Sequence, residues 1–475
     1  MMTTRKALLF ASLLVAVSAN CLAGARLTVS PQRGLVDQPI EVRVTGARPG
    51  SAVRVQAELI DDDGRTWTAS AEFVADASGV VDTATATSLA GTYRGVSPGG
   101  LSCSALPIPP EQLPSYLQKL REKPDRTTPN IGEQDNFTMR VSARVGLRTL
   151  GPISVVREYR VASVVAQDVG AGRVQGRYFE PAPGLHGQPV VVLGGSGGGL
   201  QHSSAALLAS RGHPALAIAY FGYKDLPASL AEIPLETFSD AAAWLKERTG
   251  ARGVVLMGTS RGSEAVMLTA AYLPANIVGV VALAPSPVVN GSFGRTVAPA
   301  RGIAPWTIGG RGIPPVRPSS SVETDGSTER RQRRTEDSKG PPGYAGTPYF
   351  LEDWSDPAVQ LLFGIPVERI AVPILLLGGE ADTMWPSAFG VNQIRARMAA
   401  HGKGDLVAAH TYPGAGHGIT RVGIGNEMSG FNVHPVSGSW VSTGGESAAN
   451  CSATYDTWGR ILRFLKERVP ATASQ

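Results

Sequence analysis

A chain of 475 residues is too long for one average domain, so two to three domains are expected. An apolar fraction of 43% and a charged fraction of 17% are typical of a globular protein with large cores. The net charge of +5 is mildly basic, but Lys and Arg are scattered and aromatic residues are few, so nothing indicates a nucleic-acid-binding surface.

The first 25 residues have the features of a secretory signal peptide. A basic start precedes an apolar core over residues 7–19, and small residues then form an A-x-A cleavage site ending at Ala25. The core is too short for a spanning helix, and the chain has no other apolar stretch of membrane length. We therefore expect cleavage after Ala25 and a periplasmic or secreted mature protein. A lipoprotein signal using Cys21 is the alternative, although Asn20 is a poor residue before that cysteine.

Residues 26–166 are predicted to form a small antiparallel β-sandwich domain. Short runs that alternate apolar and polar residues are separated by turn signals such as the Arg-Pro-Gly at 48–50. The predicted strands are residues 25–29, 40–44, 53–59, 67–74, 80–87, 137–147 and 153–164. A proline-rich, charged stretch over 107–136 precedes the last two, and residues 167–177 lead into the second domain.

Residues 167–475 form the second predicted domain, in which buried strands alternate with helices. The predicted strands are residues 190–193, 215–219, 254–257, 277–283 and 374–377, and the predicted helices include residues 200–211, 235–248 and 263–270. Repeated βα units imply an α/β domain with a mostly parallel sheet and helices on both faces. Residues 319–343 are polar, charged and rich in Gly and Pro, which predicts a disordered surface insertion, either a lid or an ornament on a loop.

Removal of the signal peptide leaves two cysteines, Cys103 and Cys451. In an oxidising compartment they could pair, but cysteines this far apart in the sequence are equally well independent buried thiols.

The stretch from Gly253 to Ala270 carries the clearest chemical signal. A short apolar strand, the G-x-S-x-G of residues 258–262 and a helix follow one another. Small residues on both sides allow Ser260 to stand on a strained strand-to-helix turn with its hydroxyl exposed at the edge of the sheet. The N–H of Arg261, at the start of the helix, would then point toward an oxyanion formed there.

A nucleophilic serine needs a base to take its proton and a carboxylate to orient that base. Asp382 follows the strand at 374–377, and Glu380 is a rival two residues away; we favour Asp382 because it lies further past the strand end. His417 follows a late apolar stretch on a glycine-flanked loop, where an imidazole has clearance to approach the serine. The order Ser260, Asp382, His417 is that of an α/β-hydrolase.

A glycine-rich loop over residues 194–199, GGSGGG, directly follows the first strand of the second domain. It lacks the acidic partner of a dinucleotide fingerprint and the lysine of a phosphate loop. Backbone N–H groups of Gly195, Ser196, Gly197 and Gly198 are the candidates for the second oxyanion donor beside Arg261. A flexible linker is the alternative, but the strand before the loop and the helix after it argue against that.

Motifs along nearly the whole mature chain resemble the family of acyl-CoA thioesterases and bile acid-CoA:amino acid N-acyltransferase. They are LIDDDGRTW at 59–67, AEFVADASGVV at 71–81, GTYRG at 91–95, GGSGGGL at 194–200, AYFGYKDLP at 219–227, GTSRGSE at 258–264, IPVE at 365–368, GGEADTMWPS at 378–387 and GAGHGI at 414–419. The resemblance implies an N-terminal β-sandwich joined to a C-terminal α/β-hydrolase domain. It also places the family's triad on Ser260, Asp382 and His417.

The resemblance further implies attack on an acyl-CoA thioester, with no metal or redox cofactor. Family members with a cysteine nucleophile lean toward transfer to an amine; a serine acyl-enzyme is an oxygen ester that water opens, so hydrolysis is expected here. Arg261 replaces a lysine common in the family and keeps a positive charge near the acyl group.

The expected signal peptide is a departure from the family pattern, because CoA thioesters are cytosolic metabolites. Either the substrate is a different ester or thioester met outside the cytoplasm, or the family chemistry has been reused. Acyl transfer and general carboxylester hydrolysis remain alternative activities, and a non-catalytic binding module is the alternative of another class. The oligomeric state is left open.

Overall fold

The computed structural model of the protein describes residues 24–108, 134–294, 303–316, 343–419 and 430–469, together with residues 112, 115, 116, 118, 119 and 422. Most of the expected signal peptide, including Cys21, lies outside the described residues, as does the predicted insertion up to residue 342.

The N-terminal part is built from two β-sheets, as the alternating pattern predicts. Its elements are β1 (Arg26–Ser30), β2 (Arg33–Leu35), β3 (Glu41–Thr45), β4 (Ala52–Ile60), β5 (Thr66–Val74), β6 (Val81–Asp82), β7 (Ala90–Gly91), α1 (Gly100–Cys103), β8 (Asn136–Val145) and β9 (Arg148–Glu158). One sheet has the order β1-β3-β6 and the other β2-β9-β8-β4-β5-β7. All pairs are antiparallel except β2 with β9.

Two of the predicted strands in this part are too long. The strand expected at 80–87 ends at Asp82, because the Asp82 carboxylate accepts the N–H of Ala84 (3.1 Å) and its carbonyl accepts the N–H of Ala86 (2.8 Å), which turns the chain. The strand expected to reach residue 164 ends at Glu158, and the next N–H, on Tyr159, leaves the sheet to bond the carbonyl of Asp135 (2.7 Å).

The C-terminal part contains an eight-stranded sheet. Its strands are β10 (Val165–Ala171), β11 (Val174–Glu180), β12 (Val190–Leu193), β13 (Ala215–Ala219), β15 (Val254–Thr259), β16 (Ile277–Leu283), β19 (Ile374–Gly379) and β20 (Val407–Tyr412). Their order in the sheet is β10-β11-β13-β12-β15-β16-β19-β20. From β13 to β20 every neighbouring pair is parallel. Continuous apolar runs such as Val190–Leu193 are buried on both faces, as a covered parallel sheet requires. The predicted mixed α/β class is confirmed.

The first two strands of this sheet form a hairpin, whereas the sequence predicts only a connection into the second domain over residues 167–177. β10 pairs antiparallel with β11, and β11 pairs antiparallel with β13. β10 is an edge strand in which Val169 alone is buried, so it lacks the apolar signal of the inner strands.

The helices of this part are α2 (His202–Ser210), α3 (Glu236–Thr249), α4 (Arg261–Tyr272), α5 (Thr347–Ser355), α6 (Pro357–Phe363), α7 (Ser387–Ala400) and α8 (Ser447–Glu467). α2 and α8 pack in one core cluster with the sheet, and α3, α4 and α7 pack in the other. Two small sheets, β14 (Ile233–Pro234) with β17 (Trp306–Ile308) and β18 (Arg311–Gly312), and β21 (Phe431–Val433) with β22 (Trp440–Ser442), lie in the connections. No helix in the described part of the chain is both long enough and apolar enough to cross a membrane.

The two parts of the chain are joined by a partly buried polar contact and by a disulfide. Asp37 of the sandwich accepts hydrogen bonds from Arg211 Nε and Nη2 (2.8 and 2.7 Å) and from the indole of Trp458 (2.9 Å). The two cysteines whose pairing the sequence leaves open are bonded, Cys103 in α1 to Cys451 in α8. The start of α8 is thereby fixed to the sandwich.

Candidate active site

Ser260 lies on a strained turn between β15 and α4. Its backbone has φ 55° and ψ −119°, a left-handed conformation that a non-glycine residue adopts only where the surroundings enforce it. The N–H of Ser260 donates to the carbonyl of Leu283 at the end of β16 (2.8 Å), and its carbonyl accepts the hydroxyl of Ser263 (2.6 Å). The turn is held from both sides and Ser260 is 6% exposed.

The glycines on either side of Ser260 are required by backbone contacts. A Cβ at Gly258 would lie 2.2 Å from the carbonyl oxygen of Gly262, and a Cβ at Gly262 would lie 2.3 Å from that of Gly194. The turn therefore packs directly on the first residue of the glycine-rich loop. This is the steric reason for the G-x-S-x-G spacing.

Asp382 and His417 form a hydrogen-bonded pair at the same edge of the sheet. They follow β19 and β20, and Asp382 Oδ2 is 2.8 Å from His417 Nδ1. The other oxygen, Oδ1, accepts the N–H groups of Met384 (3.0 Å) and Trp385 (3.3 Å), which fixes the carboxylate. Since a carboxylate only accepts, the imidazole proton lies on Nδ1 and Nε2 is left as the basic nitrogen.

Glu380, the rival of Asp382, is directed elsewhere. Its Oε1 accepts the hydroxyl of Thr411 (2.6 Å) in an exposed contact. Asp382 by contrast is 4% exposed and His417 8% exposed, so their hydrogen bond is shielded from water. The structure thus brings Asp382, and not Glu380, to the imidazole.

The loop that carries His417 is anchored by the chain segment leading into α8. The N–H of His417 donates to the carbonyl of Thr443 (2.8 Å), and the N–H of Gly416 donates to Asn450 Oδ1 (2.7 Å). Asn450 directly precedes Cys451, whose disulfide ties α8 to the sandwich. The ring of Trp385 packs edge-on against the imidazole with 5.7 Å between ring centroids. The position of the imidazole therefore depends on contacts well beyond its own loop.

The glycine-rich loop lies against Ser260. A Cβ at Gly195 would be 3.0 Å from the Ser260 Cβ, so this glycine permits a close approach. Within the described residues, the N–H groups of Gly195, Ser196 and Arg261 donate to no acceptor. The N–H of Gly198 is used inside the loop, where it donates to the carbonyl of Gly195 (3.3 Å).

Gly197 is the remaining predicted donor of the loop. It is exposed, and a Cβ at this position would lie 3.2 Å from Pro435. Tyr220, directly after β13, supports the glycine-rich loop. Its hydroxyl donates to the carbonyls of Gly194 (2.7 Å) and Gly195 (3.2 Å). Tyr220 is not among the residues predicted from the sequence; its place directly after β13, next to the strand that leads into the loop, is the signal that marks it.

The side chain of Arg261 turns into the protein, contrary to the expectation that its charge lies near the acyl group. It donates to the carbonyls of Gly291 and Asn290 (both 2.9 Å) and lies 3.3 Å from Glu264, one helical turn further along. Burial lowers the pKa of Arg261 and raises that of Glu264, and the hydrogen bonds that Glu264 accepts from Asn290 (2.7 Å) and Trp306 (3.1 Å) oppose the latter shift. The guanidinium of Arg261 is buried and paired with Glu264. At the edge of the sheet where Ser260 lies, Arg261 can therefore offer only its backbone N–H.

His434 is a second histidine near the site, and it is not among the residues predicted from the sequence. It follows β21, and its Nε2 is 2.8 Å from Ser196 Oγ. Burial, with a smaller contribution from the nearby His417, lowers the pKa of His434 to about 4. No sequence motif marks it, because it follows a strand of three residues with no extended pattern.

A mostly parallel eight-stranded sheet, with a strained serine turn after its fifth strand and an Asp–His pair after its last two, defines the α/β-hydrolase fold. Two family models match the chain: residues 37–169 match the acyl-CoA thioester hydrolase/BAAT N-terminal region, and residues 350–471 match the BAAT/acyl-CoA thioester hydrolase C-terminal region. The chain belongs to this family of acyl-CoA thioester hydrolases and bile acid-CoA:amino acid N-acyltransferases, and the resemblance noted in the sequence is confirmed.

Relatives of both kinds align over nearly the full length. Human acyl-coenzyme A thioesterase 1 is 31% identical over 91% of this chain and 94% of its own. Mouse mitochondrial acyl-coenzyme A thioesterase 2 is 29% identical over 94% of this chain and 90% of its own. Mouse acyl-coenzyme A amino acid N-acyltransferase 1 is 28% identical over 95% of this chain and 99% of its own.

Proposed function

We propose that the protein is a serine hydrolase that cleaves acyl thioesters, with Ser260 as nucleophile, His417 as general base and Asp382 as the residue that orients it. The observation that carries the proposal is the buried Asp382–His417 hydrogen bond of 2.8 Å at the sheet edge where Ser260 occupies its strained turn. The family supplies the substrate class, because relatives over nearly the whole chain are named acyl-coenzyme A thioesterases.

In the first half of the reaction, His417 Nε2 takes the proton of the Ser260 hydroxyl as Oγ attacks the thioester carbonyl carbon. The C=O π electrons move to oxygen, and N–H groups of Arg261 and of the Gly195–Ser196 segment donate to that oxyanion. When the tetrahedral intermediate collapses, the C–S bond breaks and the imidazolium gives its proton to the leaving thiolate. An acyl ester on Ser260 and a free thiol result.

In the second half, His417 takes a proton from water, and the resulting hydroxide attacks the acyl ester. Collapse breaks the bond between the acyl carbon and Ser260 Oγ, and the imidazolium returns its proton to that oxygen. The acid is released and the serine restored. Every proton transfer passes through His417, so the reaction needs no second acid or base.

Transfer of the acyl group to an amine is the second candidate, because a relative of matching length is named an N-acyltransferase. A serine ester is opened by water more readily than it is retained for an amine, which favours hydrolysis. Competition between water and glycine, read by product mass, separates the two: free acid supports hydrolysis and an N-acylglycine supports transfer.

The proposed place of action is outside the cytoplasm, after removal of the expected signal peptide. The Cys103–Cys451 disulfide supports this, because such bonds persist in oxidising compartments. The substrate there is an acyl thioester, or an ester of similar shape, that the protein meets after export.

The experiment is a panel of acyl-CoA thioesters of different chain length and of p-nitrophenyl esters, assayed on the mature protein and on Ser260→Ala. We expect thioester turnover with the native protein and none above background with the variant. Turnover of oxygen esters alone would replace the thioesterase proposal with a carboxylesterase, and full turnover by Ser260→Ala would overturn the assignment of the nucleophile.

A further inference from the structure

His434 is a buried residue that the proposed reaction leaves without a role. It is 7% exposed, and its ring packs edge-on against Phe293 with 4.7 Å between centroids. Its Nε2 is 2.8 Å from the hydroxyl oxygen of Ser196, in the middle of the glycine-rich loop. Ser196 in turn follows Gly195, at which an added Cβ would lie 3.0 Å from the Ser260 Cβ and 3.6 Å from its Oγ. A histidine is thus linked through one side chain to the segment beside the nucleophile.

The hydrogen bonds around His434 assign its tautomer. Nδ1 lies 3.2 Å from the N–H of Val436 and 3.4 Å from the N–H of Ser437, and both of these groups can only donate. Nδ1 is therefore the acceptor nitrogen and carries no proton. The ring is neutral near pH 7, because burial lowers the pKa of His434 to about 4, so its single proton lies on Nε2.

This tautomer fixes the role of the Ser196 hydroxyl. Because Nε2–H donates, Ser196 Oγ is the acceptor in that contact, and the hydroxyl keeps its own proton for another partner. A free serine hydroxyl rotates among several directions, whereas one that accepts a bond from a fixed ring is restricted. In the part of the chain that the structure describes, the backbone N–H groups of Gly195 and Ser196 itself donate to no acceptor.

We propose that His434 is a positioning residue that turns the Ser196 hydroxyl into a side-chain donor to the acyl oxygen, in addition to the backbone N–H groups beside it. The inference rests on the proposed function, since it concerns the oxyanion of the same reaction. The donation becomes strongest when negative charge develops on that oxygen, so its loss should reduce kcat more than it changes KM.

Two substitutions separate the roles of the two ring nitrogens. In His434→Asn the side-chain oxygen can still accept from Val436 and Ser437, as in an Asx turn, but no group replaces the Nε2 donor. In His434→Gln the longer amide can reach Ser196 as a donor, while the acceptor for the turn is lost. We expect His434→Asn to lower kcat about 10- to 100-fold with KM within about twofold, and His434→Gln to recover at least half of that loss on a logarithmic scale.

Ser196→Ala supplies the partner for a double-mutant cycle and leaves the Nδ1 contacts of His434 in place. We expect it to lower kcat as much as His434→Asn does, and the double variant to be no slower than either single variant. Ser437→Ala is the matched control, because it perturbs the turn after His434 without touching the bond to Ser196; its kcat should be that of the native protein.

An unchanged kcat in Ser196→Ala, or losses that multiply in the double variant, would overturn the inference. If His434→Asn fails to fold, Ser196→Ala alone decides by the same criterion. Failure of the proposed function would look different: the native protein would not turn over thioesters and Ser260 would not react with an active-site label.

Discussion

Asp382 holds His417 through a hydrogen bond of 2.8 Å between Oδ2 and Nδ1, while its other carboxylate oxygen accepts two backbone N–H groups. Three hydrogen bonds hold the carboxylate in place, and its bond to Nδ1 orients the imidazole with Nε2 as the basic nitrogen. The proposed chemistry depends on this relationship, because a base that samples the wrong tautomer cannot take the proton of a serine.

Replacing Asp382 by Asn should lower kcat by about 10³- to 10⁴-fold, because an amide can present its NH2 to Nδ1 and stabilise the wrong tautomer. The matched control is Glu380→Gln, which changes an exposed contact to Thr411 and should leave kcat within about twofold. Steady-state thioester hydrolysis measures both. A large loss in Glu380→Gln with little loss in Asp382→Asn would show that the acid has been misassigned.

Substitution of Gly258 by Ala should destabilise the serine turn, because the added Cβ would lie 2.2 Å from the backbone oxygen of Gly262. Such overpacking against backbone costs about 1–3 kcal/mol, and the shifted turn should also reduce thioester turnover. Urea unfolding measures the first effect. Gly50→Ala is the control, because Gly50 has a positive φ but open space around its Cβ position. It therefore reports the cost of the backbone conformation without a steric clash. Equal stability and turnover in Gly258→Ala and the native protein would refute the steric account.

Loss of the Cys103–Cys451 disulfide should lower the free energy of unfolding by about 2–5 kcal/mol, because the bond closes a loop between residues 348 apart in the sequence. Urea unfolding of Cys103→Ser/Cys451→Ser, with and without reductant, measures this. Reductant should shift the unfolding midpoint of the native protein and leave that of the double variant unchanged. A midpoint that ignores reductant in both proteins would contradict the prediction.

The free energy of unfolding should decrease as the pH falls from about 6.5 toward 4, and His434 should account for part of this decrease. The pKa of His434 is lowered from 6.5 to about 4 in the folded protein, so over this range the unfolded chain binds the extra proton and the free energy of unfolding decreases. A shift of this size corresponds to at most about 3 kcal/mol, complete near pH 4. Urea unfolding of the native protein and His434→Gln at several pH values checks it. Curves that stay parallel from pH 7 to pH 4 would contradict it.

The inner strands were predictable from sequence because parallel strands that are buried on both faces are continuous apolar runs. Ala215–Ala219 and Ile277–Leu283 are continuous apolar runs, and the structure reproduces their predicted bounds. Residues that follow parallel strands meet at one edge of the sheet, and this position, together with the G-x-S-x-G motif and the glycines around His417, is the reason for proposing Ser260, Asp382 and His417.

Features that depend on contacts distant in sequence were not predictable. β10 is an exposed edge strand without an apolar pattern, so its hairpin with β11 was missed. The inward turn of the Arg261 side chain depends on Asn290 and Gly291, about thirty residues away, although Glu264 at the i+3 position was a local sign of the ion pair. His434 lies 238 residues from Ser196, and neither residue type predicts the other.

Labelling of the mature protein with a fluorophosphonate, followed by peptide mass mapping, tests the central claim most directly. The probe reacts with a serine only where a base activates the hydroxyl and an oxyanion site receives the phosphoryl oxygen. We predict one adduct on the peptide that contains Ser260, loss of that adduct in Ser260→Ala, and prevention of labelling by a saturating acyl thioester. An unlabelled folded protein, or an adduct on another residue that persists in Ser260→Ala, would contradict the account.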